Sequence, residues 1–269
     1  MSVKSSKGSK ADVLPWGLAS LDRATKGLHA GQLALVEVSH AGVGRPALAL
    51  RVVDALALEQ GIPLLLVSLE MITQQVLVRL ACLHSRIDLL QLYLGKGSET
   101  AQEKLKTTLA EISRAPMQIY ATPRMTLAEL QVETQRSKER RHIRLLIVDG
   151  FHLLVPDVPA TAGEPRKWRP AIAKGIRQLA KDLKIPALVL HQVTEEAWTS
   201  KTSPAARELK VIENEADIVC RLAPHEAFEE QKGRAMQSLI TAGMDVVKND
   251  NGKSGKVRLK FLPRFAQFE

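Results

Sequence analysis

Residues 33–46 read LALVEVSHAGVGRP, and this stretch decides the fold. The run Leu33–Val38 is short and rich in Leu and Val, which is typical of a buried strand, and a helix-forming apolar run begins at Ala47. Between them, Gly42 and Gly44 permit a turn whose backbone N–H groups point inward at a helix start, an arrangement that binds phosphate. The order of strand, glycine loop and helix therefore predicts a P-loop in an α/β protein.

Two positions of this loop depart from an active phosphate site. A P-loop uses a Lys to reach the β- and γ-phosphates and a Ser or Thr hydroxyl to bind Mg²⁺, but those places hold Arg45 and Pro46. Arginine keeps the charge without replacing an ammonium in a confined site, and proline has neither the hydroxyl nor an N–H. Losing two charge-assisted contacts would weaken nucleotide binding about 100-fold or more. The alternative is an ordinary strand-to-helix turn. The predicted nucleotide-binding residues of the loop are Ser39, Gly42, Val43, Gly44, Arg45 and Pro46.

Two acidic residues follow apolar runs elsewhere in the chain. Glu70 comes just after the run 64–68, and Asp149 directly follows LLIV at 145–148. Ligands of parallel sheets bind beyond the carboxyl ends of the strands, so these carboxylates and the P-loop are expected to meet there. Asp149 suits a carboxylate that holds Mg²⁺ through water, and Glu70 suits the base that polarises an attacking water. Taken singly, each could be a solvated loop residue.

The rest of the chain alternates apolar strand patterns with helical ones. Continuous apolar runs separated by helices predict an α/β fold with a mostly parallel, twisted sheet covered by helices on both faces. The segments 239–248 and 256–261 predict a closing β-hairpin, and no internal repeat is present. Residues 1–10 are predicted to be a disordered basic tail, and residues 11–269 to form one domain.

Composition limits the class of protein. The chain has 269 residues, 45% hydrophobic and 25% charged, with a net charge of +9, which favours a polyanionic partner such as nucleic acid. Cys82 and Cys220 lie in apolar segments without metal-ligand spacing. The amino terminus is polar, and no apolar run reaches the roughly 20 residues of a membrane span. We therefore expect a cytoplasmic protein with no membrane partner.

The order of the motifs resembles the C-terminal, RecA-like motor domain of DnaB-type replicative DNA helicases, from about residue 14 to residue 268. The matching segments are GLASLD at 17–22, GLHAG at 27–31, VSLEM at 67–71, LIVD at 146–149, LAKDL at 179–183, IENEAD at 212–217 and KNDNG at 248–252. The resemblance implies a RecA-like P-loop NTPase fold with a C-terminal β-hairpin. It also implies a role in DNA replication, without the collar domain that precedes this motor in the family.

The resemblance assigns roles within an ATP site. Glu70 corresponds to the catalytic base, Asp149 to the carboxylate that holds the metal, Gln192 to the γ-phosphate sensor and Lys248 to a sensor lysine, with ATP and Mg²⁺ as the cofactors. The arginine that reaches a neighbouring subunit's ATP site aligns with Asp250. An arginine finger contributes roughly 10³ to 10⁵ in turnover. These departures predict weak or absent use of ATP, as in a pseudoenzyme.

Ring helicases of this kind contact DNA through basic loops that follow the phosphate backbone. The corresponding residues here are Arg166, Lys167, Trp168, Arg169 and Lys174, with Trp168 available for stacking. Alternatively, Trp168 packs on its own domain and the charges form a solvated face.

Three functions remain open. The leading hypothesis is a helicase-like protein of DNA replication with an impaired ATP site, which acts by binding single-stranded DNA, a replicative helicase or copies of itself in a ring. The alternative is an active ATP-dependent DNA helicase or translocase. The third is a RecA-like accessory protein of recombination or lesion bypass.

Overall fold

The structure, a computed structural model, describes residues 13–39, 44–157, 168–224 and 240–269. The predicted tail at residues 1–10 lies outside these ranges. The strands are β1 (Val13–Leu14), β2 (Leu28–His29), β3 (Leu33–Val38), β4 (Leu64–Ser68), β5 (Met117–Ala121), β6 (Met125–Thr126), β7 (Leu145–Asp149), β8 (Leu154–Val155), β9 (Ala187–Gln192), β10 (Ile218–Pro224), β11 (Ile240–Asn249), β12 (Gly255–Leu262) and β13 (Gln267–Phe268). The α-helices are α1 (Ala19–Thr25), α2 (Arg45–Val53), α3 (Thr73–Ser85), α4 (Leu89–Tyr93), α5 (Glu99–Arg114), α6 (Leu127–Arg141), α7 (Arg169–Leu183), α8 (Glu195–Thr199) and α9 (Pro204–Glu215). A π-helical turn, Asp54–Leu58, continues α2, and short 3₁₀ turns cover Phe151–Leu153 and Pro263–Phe265.

The main sheet has nine strands in the order β13-β12-β11-β10-β3-β9-β7-β4-β5. The six strands from β10 to β5 pair in parallel, whereas β11, β12 and β13 add antiparallel pairs at one side. Parallel strands need long crossovers, and these carry the helices that cover the sheet. The predicted mostly parallel sheet and its closing hairpin, formed by β11 and β12, are confirmed.

Both faces of the sheet are buried. On one face, β-strand residues such as Val36, Ile147 and Leu190 pack against α1, α2 and α3. On the other face, Leu35 and Val148 pack against α6, α7 and α9. Continuous apolar strands are required because alternate residues face opposite cores.

Local signals fix the ends of several elements. Thr126 and Glu129 form the predicted capping box at the start of α6: the Glu129 N–H donates to the Thr126 hydroxyl at 3.2 Å, and the Thr126 N–H donates to the Glu129 carboxylate at 2.7 Å. Among the described residues, no helix is long and apolar enough to span a membrane. The parallel strands end at a common carboxyl edge, which holds the candidate site.

Candidate nucleotide site at the carboxyl edge of the sheet

The predicted strand-to-helix corner is present between β3 and α2. Ser39 directly follows β3, and α2 begins at Arg45, one residue after Gly44. Gly44 has φ +82°, and a Cβ there would lie 2.8 Å from the ring of Phe261. Both the backbone conformation and this close approach require glycine. The predicted loop residues Gly42 and Val43 lie outside the described residues.

Arg45 lies at the centre of the predicted catalytic residues. Its Nη2 atom bonds the Glu70 carboxylate, and its Nε atom lies 3.2 Å from Oδ1 of Asp149. Its Nη1 atom donates to the side-chain oxygen of Gln192 at 3.3 Å. The four residues come from the start of α2, from the end of β9, from the end of β7 and from just after β4. We call Arg45, Glu70, Asp149 and Gln192 the Arg45 cluster.

The Arg45 cluster is largely dry. Arg45 is 6% exposed and Asp149 is fully buried. Burial raises the pKa of the Asp149 carboxyl, and the nearby charges of Arg45 and His152 oppose that rise. Burial also lowers the pKa of the Arg45 guanidinium, against the attraction of Asp149. One guanidinium between two carboxylates leaves a formal net charge of −1 when both acids are ionised, so the cluster itself does not attract phosphate.

A cavity of about 370 Å³ opens beside the cluster, within the size range of small-molecule sites. Gly44, Arg45, Pro46, Glu70 and Gln192 line it, together with an apolar wall that includes Phe261, Pro263 and Ala266. These residues can accommodate a nucleotide.

The residues fit the magnesium ion less well than the nucleotide. Pro46 supplies no hydroxyl, and Arg45 is paired with the carboxylate of Asp149. In favour of a metal, both carboxylate oxygens of Asp149 are buried and accept no hydrogen bond from the described residues. Such oxygens can receive metal-bound water, but only if Arg45 moves aside.

Two polar residues of this region were not predicted from the sequence. The Nε2 atom of His152 lies 3.2 Å from Glu70 Oε1, and His152 follows Asp149 by only three positions, which was a usable signal. Arg79 of α3 also lines the cavity, and its buried Nε has no hydrogen-bond partner among the described residues. Its place on a helix gave no sign that it would point to the P-loop.

Lys248 does not join the Arg45 cluster within this chain. It pairs in register with Val219, which pairs with Leu35 in the first half of β3. Its ammonium donates to the carbonyl of Ala216, at the amino edge of the sheet and so opposite the P-loop. Asp250 lies at the same edge, where its N–H donates to the Asp217 carbonyl at 3.0 Å. A role for Lys248 across a subunit boundary stays a prediction.

The predicted DNA-contact residues are partly described. Arg166 and Lys167 lie outside the described residues. Trp168 packs against the core on the α6–α7 face, Arg169 pairs with Glu208 at 3.4 Å, and Lys174 is exposed on α7. The alternative in which Trp168 packs on its own domain matches this arrangement, and DNA contact by the group stays a prediction.

Comparisons with known proteins agree with this geometry. Two solved structures superpose on the chain, each with a TM-score of 0.81 and 20% identity, which shows the shared fold. One is a DnaB-like replicative helicase, reported with its interactions with primase, and the match covers 94% of this chain and 61% of that one. The other is an ATPase domain solved by itself, and the match covers 97% of this chain and 92% of that one.

Curated relatives match by sequence along nearly the whole chain. The replicative DNA helicase DnaB of Leifsonia xyli is 29% identical over 98% of this chain and 57% of the relative. The DnaB of Treponema pallidum is 29% identical over 94% of this chain and 55% of the relative. The chain thus spans just over half the length of these relatives.

The family model described as DnaB-like helicase C terminal domain matches residues 14–269. That match includes the P-loop corner, the ends of β7 and β9 and the closing hairpin. The chain therefore belongs to the family of DnaB-like helicase C-terminal domains.

Proposed function

We propose that this chain acts in DNA replication as a DnaB-like domain with an impaired ATP site, by binding single-stranded DNA or a replicative helicase. The observation that carries the proposal is the Arg45 cluster, in which the residue at the P-loop lysine position is engaged by Glu70, Asp149 and Gln192.

Nucleotide binding would compete with these internal contacts. To grip a triphosphate, the Arg45 guanidinium must leave two carboxylates, one of which is fully buried. Breaking a buried ion pair leaves an uncompensated charge, at a cost of roughly 3–5 kcal/mol when one partner is removed. Protonation of Asp149 reduces that cost, but an uncharged Asp149 would then hold a metal ion poorly. ATP affinity and metal placement are therefore both expected to be weak.

DNA and protein partners are proposed from charge and from the family. The net charge of +9 favours a polyanion, and the curated relatives are named replicative DNA helicases. If the chain enters a ring of like subunits, Lys248 and Asp250 on the amino edge are the residues we expect to face a neighbour's ATP site.

The test is an ATPase assay with and without single-stranded DNA. We expect turnover close to background under both conditions, and no further fall in Glu70→Gln. Robust DNA-stimulated hydrolysis that disappears in Glu70→Gln would overturn the impaired site. Native mass with and without ATP and DNA complements the assay: assembly with DNA alone supports the proposal, whereas a hexamer that needs both ligands opposes it.

The second candidate is an active ATP-dependent DNA helicase, and one observation favours it. Glu70, Asp149 and Gln192 are assembled beside a P-loop corner, with both carboxylate oxygens of Asp149 lacking hydrogen bonds within the described residues. In this hypothesis Arg45 turns to the phosphates when ATP binds. Strand displacement by the purified protein would establish the candidate, and failure to bind millimolar ATP in calorimetry would exclude it.

A further inference from the structure

A second cavity, of about 530 Å³, lies at the carboxyl edge near the Arg45 cluster. It is enclosed by the end of β9 and by α8 and α9, on the face of the sheet that α7 and α9 cover. Its polar lining consists mainly of His152, Arg169, His191, Thr194, Glu196 and Glu208. Among the described residues, only Gln192 lines both cavities, so the second cavity is a separate compartment.

The lining contains buried polar atoms without partners. His191 is 4% exposed, and its Nδ1 atom has no hydrogen bond within the part of the chain that is described. The edge of the Phe151 ring packs against the His191 imidazole at 4.9 Å between centroids and fixes its orientation. The buried Nδ1 of His152 and Nε of Arg169 also find no partner among the described residues. An unsatisfied buried group costs about 1–3 kcal/mol, so these atoms favour a hydrogen-bonding occupant.

The charges of the lining disfavour an anion as that occupant. Glu196 and Glu208 are acidic, and the arginine of the lining, Arg169, is already paired with Glu208 at 3.4 Å. The two imidazoles are neutral because burial, with Arg45 and Arg169 nearby, lowers the pKa of His152 to about 4 and that of His191 to about 3. A neutral imidazole presents one donor and one acceptor. The lining thus matches an uncharged ring with donors and acceptors on its edge, which is the chemistry of a nucleobase.

We propose that this cavity receives an unstacked base of single-stranded DNA, which hydrogen-bonds to His191 and His152. The proposal rests on the proposed DNA-binding function and deepens it. Backbone contacts by basic side chains would supply affinity for any strand, whereas the cavity would make binding depend on the presence of bases. The volume accepts any of the four bases, so strong sequence preference is not expected.

The experiment compares two labelled DNA strands of equal length and charge, oligothymidylate and a strand of abasic sites, by fluorescence anisotropy. The wild-type chain is expected to bind the base-containing strand about tenfold more tightly, the effect of one buried base contact. His191→Phe keeps the ring volume and removes both nitrogens, so it should abolish this difference and leave abasic binding unchanged. Ala205→Leu, which fills the cavity from α9, should do the same without altering a polar group.

Ala110→Leu is the matched control, because it makes the same change at a position of α5 remote from the cavity. It should keep the wild-type difference. Equal weakening of both strands by His191→Phe and Ala205→Leu, or equal wild-type binding of the two strands, would overturn the base site. Binding of neither strand at low salt would instead contradict the DNA-binding function itself. Free thymidine tests the source of the base: His191-dependent binding of thymidine, with no such dependence for the strand, would exclude DNA as the occupant.

Discussion

The Arg45 cluster has a chemical counterpart on the other side of β3. Arg221 of β10 donates to the buried Glu37 at 2.9 Å and also bonds Glu213 of α9. In both groups one arginine lies between a fully buried carboxylate and a second acid. We call Arg221, Glu37 and Glu213 the Arg221 cluster.

The two clusters differ in how the fold builds them. Arg221 and Glu37 occupy paired positions on adjacent strands, so sheet register alone brings them together. The Arg45 cluster instead gathers residues from separate strand ends and a helix start, and it borders an open cavity. The comparison teaches that the same ion-pair chemistry is structural where strand pairing fixes it. It becomes available to a ligand where loops meet at the carboxyl edge.

The largest expected effect is on stability, from Arg221→Met. The change leaves two buried carboxylates without their cation, so we expect the free energy of unfolding to fall by about 3–5 kcal/mol. Urea denaturation measures it. Arg45→Met is the matched variant, and its cost should be smaller because its carboxylates border a cavity that admits water. Equal losses in the two variants would contradict the distinction between the clusters.

Next is a pH dependence that belongs to the Arg221 cluster. Burial, with repulsion from Glu213, raises the pKa of Glu37 from 4.5 to about 8. The folded state therefore binds more protons than the unfolded state between these values, and the free energy of unfolding should decrease as pH rises through this window. Glu37→Gln should flatten the decrease in denaturation midpoints measured from pH 5 to pH 8. A wild-type midpoint that rises across the window would show that Arg221 keeps Glu37 ionised.

The Arg45 cluster should respond to repair of the P-loop instead. Arg45→Lys combined with Pro46→Thr restores an ammonium and a hydroxyl, and we expect nucleotide affinity to rise about 100-fold. Titration calorimetry with ATP and Mg²⁺ measures the gain. Asp250→Arg alone is the control and should change little, since that residue lies at the opposite edge of the sheet. If the repaired loop gains nothing, the backbone around Gly44 does not form a phosphate cradle.

The smallest expected effect comes from an outer partner of the Arg221 cluster. Lys210 is exposed and lies 3.0 Å from the Glu213 carboxylate. Exposed ion pairs typically contribute less than about 1 kcal/mol, so Lys210→Ala should barely change the urea midpoint. A loss as large as that of Arg221→Met would mean that Lys210, rather than Arg221, neutralises Glu213.

Much of the fold could be predicted from local patterns. The strand Leu33–Val38, the capping box at Thr126 and the hairpin that follows β10 all appear where periodicity and turn signals predict them. The convergence of Glu70 and Asp149 on the P-loop corner was also predictable, because parallel strands share a carboxyl edge.

The contacts within the site could not be predicted in the same way. Arg45 was interpreted as a substitute for the phosphate-binding lysine, and its pairing with Glu70 and Asp149 depends on side-chain directions at separate strand ends. Glu37 interrupts an apolar strand, which signals a buried charge, but its partner Arg221 is 184 positions away in the chain. No local pattern reveals such a pair.

The sequence by itself determined the strand-loop-helix corner, the acids that follow the strands and the replacement of the P-loop lysine and hydroxyl, because these are properties of neighbouring residues. Only the tertiary structure decided that Arg45 binds those acids, and that His191 lines a second, uncharged cavity. The physical reason is that ion pairs and cavities depend on distances across the sheet, which packing sets and chain order does not.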